Sequence, residues 1–399
     1  MADAPERDPV ADWATDFDHY AQRYVDDPFT VIDEIRERCP VGHTERYGGM
    51  NVPVTFSLVA EAAKRTDDFT SRRTVISEVP TDRRGIVLPP INLDPPDHTA
   101  ARQVMLPFFN PTRTLRWEPA VREICARLLD GLEGRDGVDL AADYAKHVPG
   151  DVTAAMFGVE PEMGEQFRHW IHDLIEVGPT DPEVERATTQ AMLEYMFALI
   201  AERRANGGDD VVTYLFEQTI DGEPIADGDM AKMLFLLLLA GIDTTWSALG
   251  HSFLHLATHD DDRRRLVAEP ELIPTATEEF LRAYSPVFIG RIATTDTELG
   301  GCPVREGEWM LLNFPAANRD PEVFDRPDEV LIDRQRNRHA AFGLGVHRCL
   351  GSNLARLEMN IAIEMLLERF PEFEIVPDHE PGYSAGIVRG PRSVPVTFG

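Results

Sequence analysis

The sequence predicts a mainly α-helical fold with a smaller β-rich part, and three observations carry that expectation. The run from Gly228 to about His259 keeps a helical apolar pattern for some 30 residues, which would span about 45 Å at 1.5 Å per residue. Residues 115–230 read as successive helices separated by glycine- and acid-rich turns, and another apolar-periodic helix runs from Ser352 to Phe370. Strand-like alternation is confined to short pieces at Val52–Phe56, Arg291–Thr295 and Trp309–Asn313. With 399 residues, 43% of them hydrophobic, and no Pro/Gly/Ser-rich linker, the chain is expected to form one domain over 1–399. About 40–92 and 285–340 would contribute the β-rich part.

In chain order, residues 1–40 contain an early helical pattern, with Pro28 and Phe29 opening a run that ends near Cys39. Gly48-Gly49 then turns the chain into the first small sheet. From Asp68 to Leu93 the pattern is irregular, with Phe69, Val75, Ile76, Val79, Ile86 and Leu88 scattered among prolines and charges; a loop this long inside a compact domain is often functional. In LDPPDHTAARQVMLPFF, Asp94, Pro95 and Pro96 precede a helix that Asp97 or Thr99 can cap, and His98 and Arg102, four apart, share one of its faces. Helices are expected over Pro119–Leu132, Pro149–Phe157, Glu165–Leu174, Pro182–Ala205 and Asp209–Gln218.

The long helix carries Ala240-Gly241-Ile242-Asp243-Thr244-Thr245 at its centre. Gly241 weakens the helix there, and the Thr244 hydroxyl can bond back to the Ala240 carbonyl, so the helix can open into a groove. An acid and an alcohol in an apolar helix cost desolvation energy unless hydrogen-bonded. Further on, Glu279 and Arg282 can pair at i,i+3, which on a surface helix contributes only a few tenths of a kcal/mol. Last comes AFGLGVHRCLGSNLARL, a loop bent by Gly343, Gly345 and Gly351 that holds Cys349 just before a helix N-terminus. The unpaired amides there favour the thiolate, the state in which cysteine binds metal.

Charge and composition exclude several function classes. A net charge of −30 speaks against general nucleic-acid binding. The N-terminus MADAPERDPVADW has no signal-peptide pattern, and the longest apolar run, Met233–Ile242, is too short to cross a bilayer. The four cysteines, Cys39, Cys125, Cys302 and Cys349, show no C-x-x-C pair, against a zinc site or disulfide framework and in favour of a reducing cytoplasm. A soluble, cytoplasmic monomer away from membranes is expected. Arg334, Arg336, Arg338, Arg348 and Arg356 crowd around the cysteine loop and form a candidate patch.

Taken together, A-G-x-D-T-T, E-x-x-R, the arginine after N-R-D-P and F-x-x-G-x-x-x-C-x-G, in this order over about residues 92–358, resemble the cytochrome P-450 superfamily, in its soluble bacterial type. The resemblance implies a triangular helical domain with haem b between the long distal helix and the helix after the cysteine loop. Cys349 would be the axial iron ligand, with Phe342 and Gly351 in its loop, and His98, Arg102, Arg291 and His347 would bind the haem propionates. O2 would sit beside Ala240 and Gly241, with Thr244 supporting it and a water while Asp243 passes protons inward. Glu279, Arg282 and Arg334 would form a buried network that fixes the cysteine loop.

The function implied is a monooxygenase that activates O2 reductively and inserts one oxygen atom into a small hydrophobic substrate. Val75, Ile76, Leu88, Phe235, Leu239, Val287, Phe288 and Val388 are the candidates for its pocket. Electrons would come from a ferredoxin or flavodoxin with its reductase, docking on the arginine patch. A peroxide-driven oxygenase on the same scaffold, or a non-enzymatic haem protein that binds gas or transfers electrons, is the alternative; the Asp243-Thr244 pair favours the O2 route.

Overall fold

In the computed structural model the described residues are 8–76, 86–135, 137–179 and 181–399; Val79, within the irregular segment, lies outside them. Helices dominate, and their starts are chemically marked. Asp27 accepts from the amides of Phe29 and Thr30 with Pro28 in the first turn, and Asp181 caps Pro182–Asn206 in the same way. Gly207, at φ 72°, ends the latter helix in a conformation that disfavours side chains.

The long helix is two helices, Asp227–Gly241 and Asp243–Thr258, joined at Ile242 with φ −95° and ψ −66°. By length and composition Asp227–Thr258 would pass as a membrane span, but most of its apolar window is buried within the protein. Leu234, Leu238, Leu249, Phe253 and Leu256 are fully buried along it, so it is the axis of the helical core. The helix Ser352–Arg369 packs against its second half and against Glu118–Asp130. Two helices adjoin π-helical turns: Leu140–Ala145 precedes His147–Met156, and Met163–His172 continues into Asp173–Val177.

The main sheet has five strands in the order Val41–Thr44, Met50–Pro53, Trp309–Leu312, Ile289–Ala293 and Phe69–Thr70. Only the Met50–Pro53 and Trp309–Leu312 pair is parallel. The alternation at Val52–Phe56 therefore belongs to a strand that ends earlier, because Thr55 accepts from the Leu58 amide and starts the helix Phe56–Lys64. A second sheet of Phe373–Ile375, Pro395–Phe398 and Val138–Asp139 lies outside the two β-rich segments the sequence suggested. Its strands are two to four residues long, too short for alternation to be read.

After the edge strand Phe69–Thr70 the irregular segment is tied at its base. Asp94 accepts from Thr70 Oγ1 and from the Ser71 amide at 2.8 Å, and Asn92 Nδ2 donates to Ser71 O at 3.3 Å. Asp94 is thus engaged with that segment, and Asp97–Met105 starts without a side-chain cap from Asp97 or Thr99.

Candidate active site

A cavity of about 290 Å³ lies between the break in the central helix and the cysteine loop. Ala240, Gly241 and Thr244 line one side, and Phe342, Cys349, Gly351 and Leu354 the other. Gly343 and Gly345 hold φ of 72° and 71°, and a Cβ on Gly345 would stand 2.4 Å from the Ala63 carbonyl oxygen, so that turn admits no side chain. Gly351 corrects the expectation of a third bend: its φ is −78° and its Cβ would meet nothing within 4 Å, so what its missing side chain leaves clear is the cavity wall.

The Cys349 amide donates to Phe342 O at 2.7 Å, which closes the loop. The exposed surface of Cys349 faces this cavity. Enclosure by protein pushes its thiol pKa up; the Gly351 amide and the guanidinium groups of Arg102, Arg348 and Arg356 pull the other way without prevailing. The amide and cations expected at this helix start are present, but they do not by themselves make a free thiolate. A metal cation at the sulfur would supply the missing charge.

Beside the cysteine, four basic side chains converge, with Asp94, already engaged with Thr70 and Ser71, as the carboxylate felt by Arg291 and His98. Arg102, Arg291 and His347 line the cavity. His98 packs on His347 with ring centroids 4.1 Å apart, and His347 Nε2 meets Ser71 Oγ at 2.9 Å. Arg291 is buried, bonds the Gly290 carbonyl at 2.8 Å, and is lowered to about 10 by its desolvation. Arg102 donates to Arg348 O at 2.5 Å. Burial, then Arg291, His98 and Arg102, push His347 down to about 3, while both ring nitrogens of buried His98 have no partner among the described residues. Unpaired buried cations are costly, so this corner calls for anionic oxygens. A flat macrocycle with two carboxylates and a metal that takes a thiolate fits it: haem b matches the cysteine, the glycine-cleared wall and the cationic corner together.

On the opposite wall, Thr244 Oγ1 donates to Ala240 O at 2.8 Å. Asp243 is buried beside it and does not line the cavity; its Oδ1 accepts from Arg392 Nη2 at 2.8 Å, and its Oδ2 has no partner among the described residues. Burial raises its pKa to about 6, with Arg392 opposing and Glu176 adding to the rise. Arg392 is shared: it also meets Glu176 Oε1 at 2.8 Å and Ser247 Oγ at 3.1 Å, and stacks 4.1 Å over the Trp246 ring. Sequence reasoning missed Glu176 and Arg392. Neither holds a fixed spacing to Asp243, and the only available signal was that a buried aspartate requires a cation.

The expected substrate wall needs correction. Of its eight residues Val287 alone lines the cavity. Phe288 faces the other way in the extended segment, buried with its ring 5.3 Å from that of His19, while Val287 and Ile289 face in. On the central helix Met233, Leu236, Leu237 and Ala240 form the cavity face at helical spacing, and Phe235 and Leu239 project from it elsewhere. Val75 is exposed, Ile76 packs beneath Gly290, and Leu88 joins the helical core just before cavity-lining Pro89, Pro90 and Ile91. Val388 pairs with Val287 in an isolated antiparallel bridge and does not reach the cavity. Thr153 and Met156, from His147–Met156, contribute wall that the sequence did not indicate.

Glu279 and Arg282 are fully buried. Arg282 Nε and Nη2 each donate to Glu279 at 2.8 Å, and Glu279 also accepts from Arg334 Nε at 2.9 Å, the Leu331 amide at 2.9 Å and Asn337 Nδ2 at 3.1 Å. Arg282 further donates to the carbonyls of Asn318, Pro327 and Glu329. Arg334 therefore leaves the docking patch: 8% of its side chain is exposed. Arg356 leaves it too, since Glu278 accepts from it at 2.5 and 2.8 Å and its guanidinium covers Phe342. Arg336, Arg338 and Arg348 remain exposed.

Glu358, on the helix after the cysteine loop, lines the cavity and is buried; its Oε2 has no partner among the described residues, and desolvation raises its pKa to about 8. The folded chain then keeps a proton that the unfolded chain, at 4.5, releases, so this residue's contribution to stability falls as pH rises between those values. Glu358→Gln should remove that slope. The variant's advantage in urea unfolding is expected to widen by up to about 1.4 kcal/mol per pH unit from about pH 5 to pH 8; a constant difference would mean that Glu358 is ionised in the fold.

The chain is similar to known proteins over most of its length. A family model described as Cytochrome P450 matches residues 183–394. Cytochrome P450 107B1 of Saccharopolyspora erythraea is 38% identical over 313 residues, 77% of this chain and 77% of that one. A steroid C26-monooxygenase of Mycobacterium tuberculosis is 33% identical over 359 residues, 88% of this chain and 95% of that one. The solved structure of the Bacillus subtilis bacillaene polyketide synthase cytochrome P450 PksS superposes with a TM-score of 0.88 at 30% identity, covering 96% of this chain and 99% of that one.

Proposed function

The chain belongs to the cytochrome P450 family, and from that membership and the site we propose how it works as a haem-thiolate monooxygenase. Haem b is its cofactor and O2 its co-substrate; when bound, the haem supplies reductive activation of O2 and transfer of one oxygen atom. The observation that carries the reading is that Cys349 and Thr244 face each other across one cavity whose corner gathers His98, Arg102, Arg291 and His347. In this reading the whole chain acts as a single haem domain. Cys349 ligates the iron, and the four basic side chains hold the propionates.

Ala240 and Gly241 leave room at the helix break, where the Thr244 hydroxyl holds a water at the cavity wall. Asp243, raised to about 6, is partly protonated near neutrality; by turning from Arg392 it renews the proton at that water. Thr244→Ala is expected to keep consuming reductant while product falls and peroxide rises. An unchanged ratio of product to reductant would remove Thr244 from proton delivery.

The distal wall formed by Pro89, Pro90, Ile91, Met156, Leu236 and Val287 carries no charge, which supports a neutral hydrophobic substrate. A relative's name, steroid C26-monooxygenase, gives one such class to screen by substrate-induced spin-state change. Electrons are proposed to come from a ferredoxin or flavodoxin with its reductase, in the cytoplasm, to a monomer. Arg336, Arg338 and Arg348 are the docking residues. Reversing their charge should slow reduction at low salt and leave little difference at high salt; equal rates at low salt would place docking elsewhere.

A further inference from the structure

The four cysteines differ in their surroundings. Cys125 is buried in the helical core and Cys349 belongs to the cavity, whereas Cys39 and Cys302 are half-buried beside the main sheet. Cys39 follows the helix Pro28–Arg38 in extended conformation, φ −159° and ψ 134°, just before the strand Val41–Thr44. Its Sγ donates to Val41 O at 2.8 Å. Cys302 opens the second strand of the hairpin Thr297–Leu299 and Cys302–Val304 and pairs there with Leu299. The turn of this hairpin sits on the same seam, because a Cβ on Gly300 would stand 3.6 Å from Val41 Cγ2 and 3.0 Å from Leu58 Cδ2. The fold thereby places two thiols far apart in sequence on facing sides of one seam, Cys39 two residues before Val41 and Cys302 two residues after Gly300; burial, with a further contribution from Cys39, raises the Cys302 pKa.

We propose that Cys39 and Cys302 are a dithiol modification site that closes to an intramolecular disulfide under hydrogen peroxide, stapling the hairpin to the start of the first strand. One thiolate attacks the O–O bond of peroxide, giving a sulfenic acid and, after protonation, one water; the other attacks the sulfenic sulfur and expels hydroxide, which leaves as the second water. In balance, two thiols and one peroxide become one disulfide and two waters. Either thiol can take the oxygen and the other resolve it, since both are half-buried at the same seam. Peroxide would arise at the enzyme itself when O2 is reduced by two electrons without product formation. That supply rests on the monooxygenase reading, while the disulfide chemistry is independent of it. The bridge would close a very long loop and restrict the unfolded chain, so the oxidised protein should melt higher.

The test treats haem-loaded enzyme with hydrogen peroxide, then unfolds, alkylates and digests it. A linked peptide joining Cys39 to Cys302 is expected, with two titratable thiols lost, both restored by dithiothreitol, and a raised thermal midpoint before reduction. Cys39→Ser and Cys302→Ser, at half-buried positions, should fold and give neither the linked peptide nor the shift. Persistence of both thiols, separate oxidation of each to sulfinic or sulfonic acid, or a bridge between two chains would overturn the proposal. If peroxide added from outside links the pair but turnover without substrate does not, the staple stands and its supply by the enzyme fails.

Discussion

Cys349→His is expected to abolish monooxygenase turnover while leaving a protein that still folds and takes up haem. The reason for expecting uptake is that the basic corner does not depend on the sulfur: His98 and Arg102 come from the helix Asp97–Met105 and Arg291 from the strand Ile289–Ala293, with only His347 in the cysteine loop, and the need of the arginines for anionic oxygens persists in the variant. Turnover should vanish because an imidazole lacks the negative charge that the Cys349 thiolate would supply to the haem iron. The readout is spectroscopic. The reduced, CO-bound wild type should show the red-shifted Soret band of thiolate ligation, and the variant should not. If the variant kept that band, the axial ligand would be another of the cysteines, although Cys125 is buried in the helical core and Cys39 and Cys302 lie beside the main sheet.

The parts of this site that were legible in the sequence are those whose chemistry needs a fixed local spacing. Thr244 bonds the Ala240 carbonyl because both lie on one helix four residues apart, and Glu279 reaches Arg282 for the same kind of reason. Cys349 follows from a loop whose glycine at 345 admits no side chain against Ala63. Arg334, in contrast, was placed through family resemblance, since nothing in the local sequence ties it to Glu279. Glu176 and Arg392 escaped because the buried Asp243 finds them through tertiary packing, from the π-helical turn Asp173–Val177 and from just before the strand Pro395–Phe398. The cavity wall escaped for a different reason. From Met233 to Ile242 every residue is apolar, so hydrophobicity carries no phase along the helix and Phe235 looks as good a lining residue as Leu236. Phe288 was lost to the parity of an extended segment, where one step in register changes the face. The major helices were readable from periodicity and from the Asp-Pro starts, whereas strands of two to four residues offer too few alternations to detect.

Glu279→Gln should be among the most damaging single changes in the chain, costing about 3–5 kcal/mol. The substitution keeps shape and volume and removes one charge, yet that charge faces two guanidinium groups, those of Arg282 and Arg334, both essentially out of water. Their other donors are held by main-chain carbonyls of Asn318, Pro327, Glu329, Asp325 and Arg326, so neither arginine can swing out to solvent without abandoning the meander of turns over residues 319–337 that precedes the cysteine loop. Glutamine would also turn an amide N–H toward a donor, since all of Glu279's partners donate: Arg282, Arg334, the Leu331 amide and Asn337. Because Leu331 and Asn337 flank Arg334 on the way to the loop, failure of this network should show first as poor haem incorporation and then as a lower urea midpoint. A loss below about 1 kcal/mol, the range of an exposed pair, with normal haem content would mean that the meander holds itself in place and that the buried carboxylate is dispensable to it.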